Sequence, residues 1–296
     1  MANIKELRGR IRSVTGIAQL TKAMEMVASM KLRKVQGKAQ ASRPFASEIR
    51  ALIEHLDEHV GPDADIPLFR RRKVMTTGIL LITSDRGLCG SYNANVLSRF
   101  HEFEDEIKAA HPERKLKIFC YGRKGYSYLT RRGYDVARYF VDPPLDKADY
   151  RTVRLVGEAL MEAFEDGTVD EVRLCYTHFA SVARFEPRLD AFLPVTTLPV
   201  GEAAKGSPKG DVEYLLEPDP VTIFNRLVPK YLEIAIWDAM LQSLASEYAA
   251  RRMAMKGATD AASRMRKDLR RIYNRARQEG ITKELLDIIG GANAVA

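Results

Sequence analysis

The feature that constrains this chain most is its C-terminal part, which carries no proline in the 67 residues after Pro229. Apolar residues recur along it at spacings of three and four, the period of an amphipathic helix. The helix predicted over residues 220–289 would be about 100 Å long, at about 1.5 Å per residue. A helix of that length cannot be buried within a globule of 296 residues, and so it needs an equally long partner.

The N-terminal segment supplies such a partner, because no proline occurs before Pro44 and a helix over residues 3–59 would be about 80 Å long. Its apolar residues keep the heptad spacing of a helix wound on another helix. They are Ile4, Leu7, Ile11, Val14, Ala18, Thr21, Ala28, Leu32 and Val35. A second stripe broadens this face and indicates a further contact on its far side: Ile17, Leu20, Met24 and Val27. The two ends of the chain therefore predict a long antiparallel two-helix coiled coil.

The middle of the chain alternates short apolar runs with helical segments. Strands are predicted at residues 78–83, 115–121, 135–140 and 171–177, and helices at residues 92–110, 123–132 and 151–164. This alternation is typical of a parallel or mixed sheet with helices on its faces. A glycine-rich loop is predicted at residues 201–210. We expect an α/β, Rossmann-like domain over residues 73–212, inserted between coiled-coil helices over residues 1–60 and 218–290.

Charge is distributed unevenly along the chain, whose formal net charge is +8. Residues 1–43 hold ten basic and two acidic side chains, and residues 251–280 hold ten basic and three acidic ones. The remainder is therefore net acidic. Two basic ends indicate an acidic partner, either a nucleic acid or an acidic protein, although a solvated helix face explains one such segment equally well.

Candidate chemistry within the chain is sparse. The turn SDRGLCGS at residues 84–91 follows a predicted strand, as phosphate-binding turns do, but it lacks the spacing of either phosphate-binding glycine motif. We interpret it as a tight structural turn and Cys89 as a small buried residue. His55 and His59 are one helical turn apart but have no evident third metal ligand. No catalytic set, cofactor site or metal site is predicted.

Three cysteines without CxxC spacing fit a reducing compartment, and no apolar run is long enough for a membrane-spanning helix. Neither a secretory signal nor a transit peptide is recognisable at the N-terminus. Two alternatives stay open on these observations. One is a basic coiled-coil protein that binds nucleic acid, although its basic segments lack interleaved aromatic residues. The other, a dinucleotide-dependent enzyme, depends only on the α/β pattern.

Several motifs in a fixed order make the chain recognisable. They are LTKAMEMVAS at 20–29, TSDRGLCG at 83–90, YLLEPD at 214–219, LASEYAAR at 244–251, YNRARQ at 273–278, ITKE at 281–284 and GGANAV at 290–295. Together they closely resemble the gamma subunit of the F-type ATP synthase, from about Ile4 to Val295. Chains of this family that lack a transit peptide and a cysteine-bearing regulatory insertion are typical of bacteria.

The resemblance implies a central-stalk rotor subunit without catalytic residues of its own. In that family the terminal helices turn inside a ring of three alpha and three beta subunits, and the foot binds the epsilon subunit and the membrane c ring. Proton flow turns this ring, and the catalytic sites belong to beta. The implied location is the cytoplasmic face of the bacterial plasma membrane, as a peripheral subunit. No cofactor or nucleic acid is implied for this chain.

The resemblance also implies site residues. Met24, Arg251, Arg277, Gln278, Thr282 and Glu284 match positions that contact beta, and Tyr214 and Glu217 match positions that contact the c ring or epsilon. Two departures stand out. Gly16, Ala18 and Gln19 replace a segment that carries an additional lysine in many relatives, and Gly280 costs the C-terminal helix about 1 kcal/mol relative to alanine.

Overall fold

The computed structural model of the protein describes residues 4–57, 66–195 and 219–295. The predicted loop at residues 201–210 lies outside these ranges. The chain forms two compact units. One combines Met1–Met30 with Arg251–Ala296, and the other is Lys31–Ala250. Within the described ranges, no helical stretch combines the length and the hydropathy needed to cross a lipid bilayer.

Two long helices occupy the ends of the chain, as predicted. Helix α1 runs Ile4–Asp57 and contains Pro44. On either side of this proline, the Ser42 hydroxyl donates to the Ala39 carbonyl at 3.1 Å and the Ser47 hydroxyl donates to the Pro44 carbonyl at 2.7 Å. Helix α5, the last in the chain, runs Pro220–Val295. It therefore extends six residues beyond the predicted end at 289, through the two glycines of the GGANAV motif.

Between them lies the α/β part of the second unit. Its elements in chain order are β1 (Thr76–Ile82), α2 (Tyr92–Ala110), β2 (Lys115–Tyr121), α3 (Arg123–Arg131), β3 (Val136–Phe140), α4 (Tyr150–Glu165), β4 (Glu171–Phe179) and β5 (Phe185–Leu193). Every strand and helix predicted for this part of the chain is present, with ends that move by at most two residues. The fold class, an α/β domain inserted between long terminal helices, is confirmed.

The sheet has the order β3-β2-β1-β4-β5. The first four strands are parallel, and β5 pairs antiparallel with β4. Strand β5 is not among the predicted strands, because Pro187 and alternating charged residues obscure its apolar pattern. Such a composition suits an edge strand, since an edge position needs fewer backbone donors and can face water.

Helices cover both faces of this sheet. On one face, Ile79 and Leu81 of β1 pack with α2 and α3 in one buried cluster. On the other face, Leu80 and Ile82 join a larger cluster with α4, with α1 from Leu32 onward and with α5 up to Ala249. A central strand buried on both sides explains why β1 is apolar at successive positions instead of alternating.

Gly122 sets the geometry where β2 leads into α3. Its φ is +106°, a left-handed conformation that favours glycine, and a Cβ built there would lie 2.2 Å from the Thr83 carbonyl oxygen. Because glycine has no side chain to occupy that space, the backbone can pass this close to the end of β1. The start of α3 is then held against the turn at residues 84–91.

Candidate functional site

The first unit is a helix pair joined along a seam of small and branched side chains. Helix α1 buries Leu7, Val14 and Ala18, and α5 buries Met255 and Ala262. Thr21 and Ala28 are buried as well, and Ile4 and Ile11 are partly buried. Every residue of the predicted heptad seam in this unit is therefore covered, as the coiled-coil pattern requires.

Three contacts give the relative direction of the two helices. The hydroxyl oxygens of Thr21 and Thr259 are 2.7 Å apart. Arg8 Nη2 donates to the Tyr273 hydroxyl at 3.1 Å, and a Cβ on Gly280 would lie 3.7 Å from Ile4 Cδ1. Because residue numbers fall along α1 as they rise along α5, the pair is antiparallel, as predicted. The hydrogen bond from Arg8 also holds the pKa of Tyr273 below its ordinary value.

The residues implied to contact beta all lie in this unit. Met24 and Arg251 are partly buried, whereas Arg277, Gln278, Thr282 and Glu284 are exposed on α5. The last four fall in two neighbouring stripes along the helix, Arg277 with Glu284 and Gln278 with Thr282, about 100° apart around its axis. Tyr214 and Glu217, implied to contact the c ring or epsilon, lie outside the described residues.

The second apolar stripe of α1 remains largely uncovered within the chain. Ile17, Leu20 and Val27 are 53%, 60% and 47% exposed, and Met24 between them is partly buried. Burying such side chains stabilises a contact by roughly 1.5–3 kcal/mol each relative to leaving them in water. The stripe is therefore available to another protein, which agrees with the predicted contact on the far side of α1.

A second exposed apolar surface follows Gly280 on α5. Gly280 of α5 lies beside Ile4, the first described residue of α1. The α5 residues that follow Gly280 therefore extend beyond the described part of α1. The exposed side chains there are Ile281, Leu285, Leu286, Ile288 and Ile289. The resemblance implied a role only for the polar residues of this segment. Its apolar surface could have been predicted from the helical spacing of Ile281, Leu285 and Ile288, which stand four and three residues apart.

Part of the predicted basic surface is used inside the protein. Arg10 pairs with Glu6 at 2.7 Å, and Lys22 pairs with Glu25 at 3.1 Å. In the second unit Lys31 pairs with Asp146 at 2.8 Å. The first two pairs are local and at least partly exposed, and such pairs stabilise a helix by at most about 0.5 kcal/mol. Lys31 is different, because its partner lies in the α/β domain.

The turn at residues 84–91 is a structural junction. Ser84 and Cys89 are buried, and the Asn93 amide donates to Ser84 Oγ at 2.7 Å and to Cys89 Sγ at 3.3 Å. Cys89 and Tyr92 also pack against Ala250 of α5. All these groups face protein, in keeping with the interpretation of a tight turn and a buried cysteine.

The two other cysteines of the α/β part are equally enclosed. Burial raises the pKa of both the Cys120 and Cys175 thiols to about 12, so neither is a thiolate near neutral pH. Within the described ranges, no three His, Cys, Asp or Glu side chains converge as metal ligands. The side chains of His55 and His59 are outside the description.

These observations define the class of protein, which is an α/β protein whose terminal helices form an antiparallel coiled coil. The family model that matches the chain is described as ATP synthase and covers residues 3–295. The ATP synthase gamma chains of Chloroherpeton thalassium and Azoarcus sp. are 37% and 38% identical to it. Each alignment covers 100% of this chain and 99% or 100% of the relative. The chain belongs to the ATP synthase gamma chain family.

Solved structures agree on the fold. The Euglena gracilis mitochondrial ATP synthase assembly of OSCP, F1 and c-ring contains a chain that matches with a TM-score of 0.66 at 17% identity, covering 99% of this chain and 94% of that one. A chain of the central stalk and c-ring of the Tetrahymena thermophila enzyme matches with a TM-score of 0.56 at 23% identity, covering 81% and 99%.

The sequence-based prediction of the family is confirmed by these relatives. As a gamma chain, the protein is a non-catalytic subunit of ATP synthase. The relatives give no support to the alternative of a basic coiled-coil protein that binds nucleic acid.

Proposed function

We propose that this chain is the rotating central stalk of a proton-translocating F-type ATP synthase. Its helix pair turns inside a ring of three alpha and three beta subunits, and its α/β domain binds epsilon and the c ring. The full-length relationship to gamma chains carries this proposal. The helix pair supports it, since two wound helices resist bending while they present a different surface to each of three surrounding sites.

The proposed division of labour follows the three predicted segments. Residues 1–60 and 218–290 form the shaft, and residues 73–212 form the foot. The peripheral location is the cytoplasmic face of a bacterial plasma membrane, reached through the c ring and not through a membrane-spanning segment of this chain. Tyr214 and Glu217 are the proposed contacts with the c ring or epsilon.

The proposed contact with beta has a polar and an apolar part. Arg277 and Gln278 are exposed together on α5 and can donate several hydrogen bonds to a loop of beta, with Thr282 and Glu284 on the next turn. Met24 and Arg251 are the proposed contacts at the opposite end of the helix pair. The exposed α1 stripe of Ile17, Leu20 and Val27 adds apolar area beside Met24.

The proposal is tested by purifying the tagged chain from its own membranes in mild detergent and measuring subunit stoichiometry with ATPase activity. Three alpha and three beta subunits per tagged chain, with ATP hydrolysis in the same eluate, are expected. Recovery of the chain with nucleic acid, or without alpha and beta, would contradict the proposal.

Variants of the complex then test the polar contact. Arg277→Ala with Gln278→Ala should lower the rate of ATP hydrolysis at least about tenfold, since two or more charge-assisted or polar hydrogen bonds to beta are lost. Asn274→Ala, which removes an exposed amide one turn before Gln278, is the matched control and should retain the parental rate. Equal rates in both variants would exclude the pair from the contact.

A further inference from the structure

A small polar cluster joins the α/β domain to both long helices. Asp146 lies in the 3₁₀ turn Leu145–Lys147. Its Oδ2 accepts a hydrogen bond from Lys31 Nζ of α1 at 2.8 Å and one from the Tyr248 hydroxyl of α5 at 3.4 Å. The Lys31 ammonium also lies 5.4 Å from the centre of the Tyr248 ring. We call these three side chains, Lys31, Asp146 and Tyr248, the latch.

The latch is a charge-assisted contact that is partly shielded from water. The side chains of Lys31 and Asp146 are 41% and 30% exposed, so water screens their attraction only in part. Burial by itself would raise the pKa of Asp146, but the hydrogen bond and charge of Lys31, aided by Arg86, hold it below its ordinary value. Asp146 is therefore ionised at neutral pH and bonds to both helices.

Asp85 sets the position of the turn that carries Asp146. Its Oδ2 accepts from the backbone N–H of Leu145 at 3.0 Å, and its Oδ1 accepts from that of Arg123 at 3.0 Å. From the end of β2, the Tyr121 hydroxyl donates to the Pro143 carbonyl at 2.5 Å. Residues at the ends of two neighbouring parallel strands thus hold the segment before Asp146. Through Asp85, the turn at residues 84–91 positions this segment.

We propose that the latch carries load between the α/β domain and the long helices, with Asp146 as a positioning residue and Asp85 as the residue that sets its turn. The apolar packing around it is non-directional and permits small sliding motions. A charge-assisted hydrogen bond has a preferred geometry and opposes sliding. For its consequence in rotation, the proposal rests on the proposed function, because torque applied to the foot must reach both α1 and α5.

The functional test uses the whole membrane-bound complex and measures protons pumped per ATP hydrolysed. Asp146→Asn and Lys31→Met should each lower that ratio at least about twofold, while ATP hydrolysis continues. The double variant should be no worse than either single variant, and the exchange of the two charges, Lys31→Asp with Asp146→Lys, should restore most of the ratio. Asp142→Asn and Lys147→Met, exposed neighbours in the same segment, are the matched controls.

Rescue by charge exchange would assign the lost pumping to the ion pair and not to either side chain alone, and continued ATP hydrolysis in the single variants would exclude general unfolding as the cause. Additive losses in the double variant, or single variants that pump like the controls, would overturn the proposal.

Amide hydrogen exchange on the same complexes tests the contact without reference to pumping. Asp146→Asn and Asp85→Asn should each speed exchange about fivefold in α1 around Lys31 and in α5 around Tyr248 together. Unchanged exchange overturns the latch, and faster exchange with undiminished pumping overturns its load-bearing role. If the parental chain does not assemble with alpha and beta, the proposed function is overturned and not the latch. Amide exchange of the parental and variant chains, compared in whatever assembly is purified, then still tests the latch.

Discussion

The two units of this protein are stabilised in contrasting ways. In the helix pair, a narrow seam of alanine, valine, leucine, methionine and threonine is buried, and the cross-helix polar contacts described are Thr21 with Thr259 and Arg8 with Tyr273. In the second unit, helices enclose both faces of a five-stranded sheet. The contrast teaches that the first unit buries only a narrow seam and leaves apolar and charged side chains exposed, whereas the second depends on the two buried clusters that flank its sheet.

The largest loss of stability is expected at Gly122 of the second unit, where there is no space for a side chain. Gly122→Ala would place a Cβ against the Thr83 carbonyl and force a left-handed φ on alanine, so we expect a loss of more than about 5 kcal/mol and failure to fold. Soluble yield and the fluorescence of Trp237, the single tryptophan, measure this.

Gly133→Ala is the matched control for that substitution. Its φ is +79°, but nothing lies within 4 Å of the added Cβ, so only the backbone cost of about 1 kcal/mol applies. Equal losses in the two variants would mean that steric contact at Gly122 is unimportant.

The difference between a broad core and a narrow seam is tested by paired truncations. Phe100 of α2 is fully buried against the sheet, and Phe100→Ala should cost about 4 kcal/mol in the free energy of unfolding. Val14→Ala, within the seam, should cost about 1 kcal/mol, because few atoms are removed and neighbouring side chains can close the gap. Urea unfolding followed by circular dichroism compares the two, and a cost at Val14 equal to that at Phe100 would contradict the comparison.

The smallest effect concerns a polar group specific to the second unit. Burial would raise the pKa of Glu104, but hydrogen bonds from Lys108, Tyr134 and His101 outweigh it and lower the pKa below the ordinary value of 4.5. A depressed pKa adds stability that is fully present above pH 4.5 and is lost as the pH falls through the folded value.

Glu104→Gln should therefore lower the free energy of unfolding by about 1 kcal/mol at pH 7, and the difference from the parental protein should shrink below pH 4.5. Unfolding midpoints measured across that range check this. Glu102→Gln, which changes an exposed carboxylate on the same helix, should stay within about 0.5 kcal/mol at every pH. A difference for Glu104→Gln that does not vary with pH would exclude the ionised carboxylate as the cause.

Local patterns predicted much of this fold. Helix α2 and strand β2 have the predicted ends, because apolar periodicity and flanking turn residues mark them clearly. Strand β5 was missed because its stability comes from pairing with β4, which no local pattern reports. The beta-contact residues stay predictions from resemblance, and the exposures of Arg277 and Gln278 are compatible with that role.

By itself, the sequence determined the elements whose period repeats over many residues: two long helices, their shared seam and the alternation of strands and helices between them. Only the tertiary structure decided which charged residues face outward and which bind within the protein. Lys31 reads as one more member of a basic stripe, yet it pairs with Asp146, which is 115 residues away in the chain. Such a pairing depends on where distant segments meet in space, and a periodic pattern carries no information about that.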